Sequence, residues 1–373
     1  MADVQTLLSY SDRRFLQLLF MEKALSRKDV ARRLDMTEAS ISRIASRLVA
    51  MGIVSESAER EGKLGQPVRT LTIAAGQIFS AGINFALNVV DVAIIDLAGT
   101  VVSMTRERIE QSSPTVAAEK ANGILSHMIW QHGIDLDAIV GVGVSVPGNF
   151  APDKESVFAH SLFLEYGDIN IADVFGSVCG MPAVIENDGA CAALGEYYFA
   201  NGHRHRMLFK YHLGHGFNAG IVLDGRLYRG AYGNSGVTGV LFPYGKPRPT
   251  GTDLIETLAA VDIHLTDVAD LESVPGNGRD TVERWLDRAA GQLAEAVRIA
   301  TGFYDPSIIV IGGRLPRWLT QELTGRIAWE TLAGPSRGLR VAPVVPSTLG
   351  PSSGAIGAAC VPFFDRFFPN AII

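Results

Sequence analysis

From Ala74 onward the sequence sets short apolar runs against helical periods twice over, and this alternation constrains the fold more than any other feature. Ile78–Asn84 and Val89–Asp96 read as strands, Leu97-Ala98-Gly99-Thr100 as a hairpin turn, and Val101–Ile109 as the strand that completes a meander. A helix follows from Pro114 to about His132, then an apolar strand from Ile139 to Val146 ending in Pro147-Gly148-Asn149. Ala183–Glu186 runs into Asn187-Asp188-Gly189 and a helix through Tyr198. In the second round, Met207–Tyr211 and Gly220–Leu223 flank Gly214-His215-Gly216-Phe217-Asn218, and Asp224-Gly225 is a hairpin turn. A long helix over 281–302 turns Leu286, Ala289, Leu293, Ala296 and Ala300 inward, and Ile308–Ile311 ends in Gly312-Gly313. Meander then helix, repeated, predicts an α/β body of two similar lobes whose loops meet in a ligand-binding cleft.

Residues 1–73 follow a different rule. Between Asp12 and Lys23, Phe15, Leu18 and Leu19 form the stripe of a packing helix. Ser26-Arg27-Lys28-Asp29 is a capping box that opens a helix of about two turns, with Val30, Ala31 and Leu34 inward and a break at Asp35-Met36. Thr37 is a favourable N-cap for a third helix, in which Ile41, Ile44, Ala45, Leu48 and Val49 share one face until Gly52 ends it. A short helix, a turn and a longer helix with a small, polar outer face is the helix-turn-helix plan. Small side chains suit entry into a major groove about 12 Å wide. Thr37, Ser40, Ser42, Arg43 and Arg47 are the candidate DNA contacts, with Ser40, Ser42 and Arg43 as base readers. The same pattern also fits a small helical bundle with a solvated face. Strand-like Ile53–Glu56 and Val68–Ile73, joined by the charged, Gly-containing stretch 60–67, add a wing with Arg60 and Lys63 at its tip for phosphate or the minor groove.

Charge divides along the same line. Residues 1–72 hold twelve Lys/Arg against nine Asp/Glu, a net +3, so the remainder carries −9 within the total of −6. A basic head on an acidic body points to a polyanion partner for the head. With 373 residues, two or three packed units are expected, and 47% hydrophobic against 19% charged residues excludes a disordered chain. Neither an apolar run long enough to span a membrane nor a secretory leader can be read, which predicts a cytoplasmic protein. Cys179, Cys191 and Cys360 lie far apart, so neither a disulfide framework nor a thiolate zinc site is expected.

Several stretches in this order resemble the ROK (repressor, open reading frame, kinase) family: Ser26-Arg27-Lys28-Asp29-Val30-Ala31, Gly65-Gln66-Pro67, Gly143-Val144-Ser145-Val146-Pro147-Gly148, Glu186-Asn187-Asp188-Gly189, Gly225-Arg226-Leu227-Tyr228-Arg229-Gly230 and Ile309-Val310-Ile311-Gly312-Gly313. The resemblance covers nearly the whole chain. It implies a two-lobed, actin-like, sugar-kinase-like body over 74–373 and, as in the repressor branch, an α+β winged helix-turn-helix over 1–73.

The resemblance also implies a site. Asp188 stands where family kinases have the base that deprotonates a sugar hydroxyl, Asn187 where they have a hydroxyl-binding amide, and Glu256 where they have another sugar-contacting Glu. From the residues alone, Asp188 equally suits a helix cap and Glu256 an exposed helix start. Other parts are lost. The Asp-x-Gly-Gly-Thr phosphate loop reads Asn84-Phe85-Ala86-Leu87-Asn88, without glycine or acid, so no ATP use is expected. A sugar-binding Glu and a zinc-binding His are replaced by Val237 and Val240, and the Cys cluster by Lys246-Pro247-Arg248-Pro249, which leaves no metal and no cofactor expected. These residues point to a DNA-binding regulator, a homodimer or homotetramer on a pseudo-palindromic operator, with a sugar-like effector. An active ATP-dependent sugar kinase and a regulator that has lost small-molecule sensing are the alternatives left open.

Overall fold

Among the described residues, three helices and three short strands make up the head. The computed structural model describes residues 8–59, 68–110, 113–151, 157–159, 170–200, 202–243, 245–328 and 338–369. Helix α1 (Tyr10–Glu22) starts earlier than its apolar stripe suggests because Ser9 and Asp12 form a capping box: the Ser9 N–H donates to Asp12 at 2.8 Å and the Asp12 N–H to Ser9 Oγ at 3.3 Å. Strand β1 (Leu25–Ser26) leads into α2 (Arg27–Leu34), capped by Ser26 and closed by Asp35 in the left-handed region at φ 53°. Helix α3 (Glu38–Ala50) is capped by Thr37 and buries Ile41, Ile44, Ala45 and Leu48. Val49 departs from the expected inner face: it is 38% exposed, one residue round the helix from Leu48 and outside the buried stripe. Strands β2 (Val54–Glu59) and β3 (Val68–Ile73) pair antiparallel, and β1, too short to be read from sequence, adds to β3. The wing-tip candidates Arg60 and Lys63 lie outside the described residues.

The first lobe contains β4 (Phe79–Ala86), β5 (Val89–Asp96), β6 (Val101–Arg108), α4 (Pro114–His132), β7 (Ile139–Val146), β8 (Gly148–Phe150), β9 (Val157–Ala159), α5 (Ile171–Cys179) and β10 (Ala183–Asn187). The second contains α6 (Asp188–Phe199), β11 (Met207–Leu213), β12 (Phe217–Leu223), β13 (Arg226–Leu227), α7 (Gly251–Ala259), α8 (Arg279–Tyr304), β14 (Ile308–Gly313), α9 (Arg317–Gly325), β15 (Val344–Pro346) and α10 (Ser353–Arg366). The sheets run β10-β7-β4-β5-β6 and β13-β12-β11-β14-β15. Each is an antiparallel meander extended by two parallel strands, so the repeat legible in the sequence is a repeat of topology.

Strand alternation sorts side chains onto two faces. In β4 and β5, Phe79, Ala81, Ile83, Phe85, Val90, Val92 and Ile94 join the core under α4 and α5. In β11, Phe209, Tyr211 and Leu213 join the core under α8. The intervening positions, among them Asn84, Asp91, Ser145, Lys210 and His212, are all buried and fall on the opposite faces, where the two lobes meet.

Helices α6 and α10 fill that seam. Their backbones touch because Gly357 has no side chain: a Cβ there would overlap the Cys191 carbonyl oxygen and lie 2.8 Å from the Gly195 nitrogen. Gly82 does the same for α10 over β4. At their far ends these helices receive the head. Phe20 of α1 meets Tyr198, Phe199 and Phe368 at ring separations of 5.2, 6.2 and 5.1 Å, and head and body share one apolar cluster through these rings. Arg13 donates to the Asp365 carbonyl at 3.2 Å and Lys23 to the Ala98 carbonyl at 3.1 Å. Among the described residues no helix is long and apolar enough to cross a membrane.

Candidate functional site

A cavity of about 480 Å³ opens between the lobes, at the end of the seam away from the head. The first lobe contributes Ala86 and Leu87 from the β4–β5 turn and Pro147, Gly148 and Asn149 after β7. The second contributes Asp188, His212, the Gly214-His215-Gly216 turn, Asn218, Val237, Val240, Arg248 and Arg314.

Asp188 is the first residue of α6 and lines the cavity, as the sequence suggests. Its Oδ1 accepts from the Gly189 N–H at 2.7 Å and from Asn218 Nδ2 at 3.1 Å. Burial pushes the carboxyl up from its ordinary range, against the pull of these donors. A carboxyl so placed can serve a ligand hydroxyl as acceptor or, when protonated, as donor.

Asn187 is the N-cap of α6 and its amide is committed to protein partners. Oδ1 accepts from the N–H groups of Gly189 and Ala190 and from Asn218, while Nδ2 donates to the Gly148 carbonyl at 2.8 Å. It positions Asp188 and does not itself line the cavity. Glu256 is not brought to the cleft. It stands exposed on α7, on the side away from buried Leu254 and Leu258, because a helix that turns those residues inward carries Glu256 out.

The seam holds polar groups that the sequence reading missed. Asp91, 0% exposed on β5, pairs with Arg106 and, across the lobes, with Arg314 Nη1 at 3.0 Å. Burial raises the Asp91 carboxyl, yet Arg314 and Arg106 outweigh it and hold the group below its usual range. Asn84, where a kinase carries its metal-holding Asp by resemblance, donates to Asp91 at 3.0 Å and accepts from Ser145 at 2.7 Å. The turn after it is a two-residue hairpin, Leu87-Asn88, in place of a glycine loop. Burial, with the charges of Lys210 and Arg314, pushes the His212 imidazole down to about 3, so it is neutral at physiological pH. One signal was available for Asp91: an acid in the middle of an apolar strand needs a buried partner. No group of three or more His, Cys, Asp or Glu is placed to hold a metal among the described residues.

On the head, Thr37 and Ser40 bond each other at the start of α3, their hydroxyls 2.9 Å apart, and Arg43 reaches back to Ser40 at 3.4 Å. Thr37 and Arg43 are exposed, and Ser40 and Ser42 half-buried. Arg47 is different: it pairs with buried Asp12 and so ties α3 to the first turn of α1.

Residues 80–243 match the family model of the ROK family. The chain carries a ROK family domain. Over 98% of its length it is 42% identical to an uncharacterized protein, y4fQ, of Sinorhizobium fredii, covering 93% of that protein. It is 23% identical to the xylose repressor of Bacillus subtilis over 60% of this chain and 58% of that one, and thus spans little more than half of that relative. Among solved structures, a ROK family transcriptional regulator homologous to the Escherichia coli MLC protein superposes with a TM-score of 0.70 at 18% identity, covering 95% of both chains. A ROK family glucokinase from Streptomyces griseus, in complex with glucose and AMPPNP, gives 0.59 at 20% identity over 75% of this chain and 98% of that one. These two likenesses show the ROK sugar-kinase-like fold; repressors and kinases both stand among the ROK relatives.

Proposed function

We propose that the protein is a sequence-specific DNA-binding transcriptional repressor for genes of sugar or related metabolite use, with a ROK body that binds a small effector between its lobes without phosphorylating it. The observation that carries this reading is the outer face of α3. Behind the two-turn α2 it exposes Arg43, with Thr37 exposed at its N-cap and Ser40 and Ser42 half-buried, while the inner stripe packs on the head. On this reading residues 1–73 are a winged helix-turn-helix and 74–373 an effector and dimerisation body. Relatives named as ROK repressors support it. The Leu87-Asn88 turn supports the lack of phosphorylation, since two residues without glycine offer a triphosphate no cradle of N–H groups. A homodimer or homotetramer would read two half-sites about 34 Å, or a multiple of it, apart.

The test is fluorescence anisotropy with DNA from upstream of the protein's own gene against random duplex at about 150 mM salt. Specific binding should exceed non-specific binding by about 10³-fold or more; equal affinity for both refutes the reading. A sugar kinase is favoured by one observation, the presence of Asp188 in the cleft. ADP release with hexoses and Mg-ATP, abolished by Asp188→Asn, would establish it. Val237 and Val240 in the wall favour a regulator without small-molecule sensing, which requires that operator affinity respond to no metabolite tried.

A further inference from the structure

The charges around the cavity do not suit a neutral sugar. Asp91 is a single carboxylate shared by two guanidinium groups, those of Arg106 and Arg314. Arg106 is 39% exposed and met by solvent, but the Arg314 side chain is only 11% exposed, and the carboxyl that acts on it besides Asp91 is Asp188, itself pushed toward its neutral form by burial. A guanidinium in such surroundings is costly unless acceptors complete it. Arg314 engages Asp91 through Nη1, and its Nε and Nη2 donate to no other described residue. Its aliphatic stem runs beside Gly214, and the residue lines the cavity.

Two further observations converge. Arg248 brings a second guanidinium to the wall of the same cavity. His212, also in that wall and more than nine-tenths buried, has an Nδ1 with no hydrogen-bond partner. A buried orphan nitrogen in a cavity wall is a position that a bound group can satisfy. Against these stands one carboxyl, Asp188. Asn149, His215 and Asn218 add neutral polar edges, and the lining also has apolar stretches, with Val237, Val240 and Phe242 on one side and Leu87 on the other.

We propose that the cleft takes an organic anion, with a carboxylate or phosphate group anchored on Arg314 and an apolar body lying against Val237, Val240 and Phe242. Arg248 is the second cation of that site, and His212 supplies a neutral polar contact. Guanidinium is suited to the role because its planar fork meets both oxygens of a carboxylate or phosphate. The inference rests on the reading of the cleft as an effector site, and it replaces a neutral hydroxyl-rich ligand with a charged, less polar one.

The experiment measures binding to the full-length protein by calorimetry and thermal shift, with benzoate, phenyl phosphate, glucose 6-phosphate, glucuronate and glucose as probes at up to about 10 mM. The anions with an apolar body should bind and raise the melting temperature as RT ln(1 + [L]/Kd) requires, while glucose should not. Benzoate against phenyl phosphate separates the carboxylate source from the phosphate source. Arg314→Gln should weaken the bound anion by at least about tenfold, and Arg248→Gln, which leaves the Asp91 pairs untouched, should do so if the first variant fails to fold. Binding of glucose without the anions, binding of no anion at all, or anion binding unchanged in either folded variant overturns the proposal. Operator binding, followed in parallel by anisotropy, fails only if the DNA-binding reading itself is wrong.

Discussion

Replacing Gly357 by Ala should loosen the whole molecule, although the change adds a single methyl. The new Cβ would overlap the Cys191 carbonyl oxygen and stand 2.5 Å from its carbon and 2.8 Å from the Gly195 nitrogen. Ordinary contacts of this kind are about 3.5–4.0 Å. All three neighbours are backbone of α6, so no rotamer change relieves the overlap, and the helices must part by about 1 Å or more. Overpacking of a core costs about 1–3 kcal/mol, and rigid neighbours on both sides place this site near the upper end. Alanine returns about 0.5–1 kcal/mol of helix propensity, which leaves a net loss of about 2 kcal/mol. At about 2–4 °C per kcal/mol, the melting temperature should fall by about 4–8 °C. Gly302→Ala is the matched control: it lies exposed on α8 with nothing within 4 Å of the position its new methyl would take, and should stabilise by about 0.5–1 kcal/mol. The assay is differential scanning fluorimetry on both variants and the parent. A Gly357→Ala protein that melts with or above the parent refutes the close-packing argument.

Three other outcomes are expected. Arg43→Ala should cost about 1–3 kcal/mol of operator affinity with an unchanged melting temperature, whereas Arg47→Ala should lower the melting temperature too, because it removes a partner of buried Asp12; anisotropy and fluorimetry on both separate the roles. His212 takes a proton at about 3 when folded against an ordinary 6.5, so between these values the unfolded chain binds more protons. Its contribution to stability is complete above pH 6.5 and is lost as pH falls toward 3, at up to about 1.4 kcal/mol per pH unit. Urea titrations of the parent and His212→Asn at pH 7 and 5 should diverge by about 2 kcal/mol, the raised carboxyls of Glu186 and Asp188 cancelling between the two proteins; parallel curves refute it. Lys210→Met should destabilise by about 3–5 kcal/mol, since it leaves Glu196 buried without the ammonium 3.1 Å away. The double variant with Glu196→Gln should recover part of that loss in the same denaturation assay.

The elements that could be read from sequence are those with one wet face or a cap. Helix α2 announces itself through Ser26 and Asp29, and α4 through Pro114 and Gly133. Helix α10 left no such signal: buried from Ser353 to Phe364, it has no polar face and hence no amphipathic period. The glycines at 214 and 216 predict the turn that the structure has, but Phe217 and Asn218 belong to β12, because pairing with Leu213 and His212 extends the strand right up to the turn. Asp188 opens a helix directly after a strand, which alone suits a cap as well as a cleft, and only the resemblance to the ROK kinases points to the cleft that it lines. Arg314 could not be placed, since its partner Asp91 is 223 residues away and only the closing of two sheets on one another joins them. For Glu256 the resemblance points to the site and the residues alone equally to an exposed helix start; the structure has the latter, since the helix turns Leu254 and Leu258 inward.

The aromatic docking of α1 bears on how the protein can be handled. Phe20 is buried by rings from α6 and from Phe368 just beyond α10, and Tyr198 also bonds the Gly225 carbonyl beside Gln17. A cut between residues 73 and 74, which treats the body as a separable module, would strip this cover and turn Tyr198, Phe199, Phe364 and Phe368 into an open apolar surface. Exchanging the head for another would meet the same obstacle, because the incoming helix would have to bring an aromatic ring to the place of Phe20. The interchangeable unit in this architecture is therefore larger than the head: it is the head together with the socket that receives it.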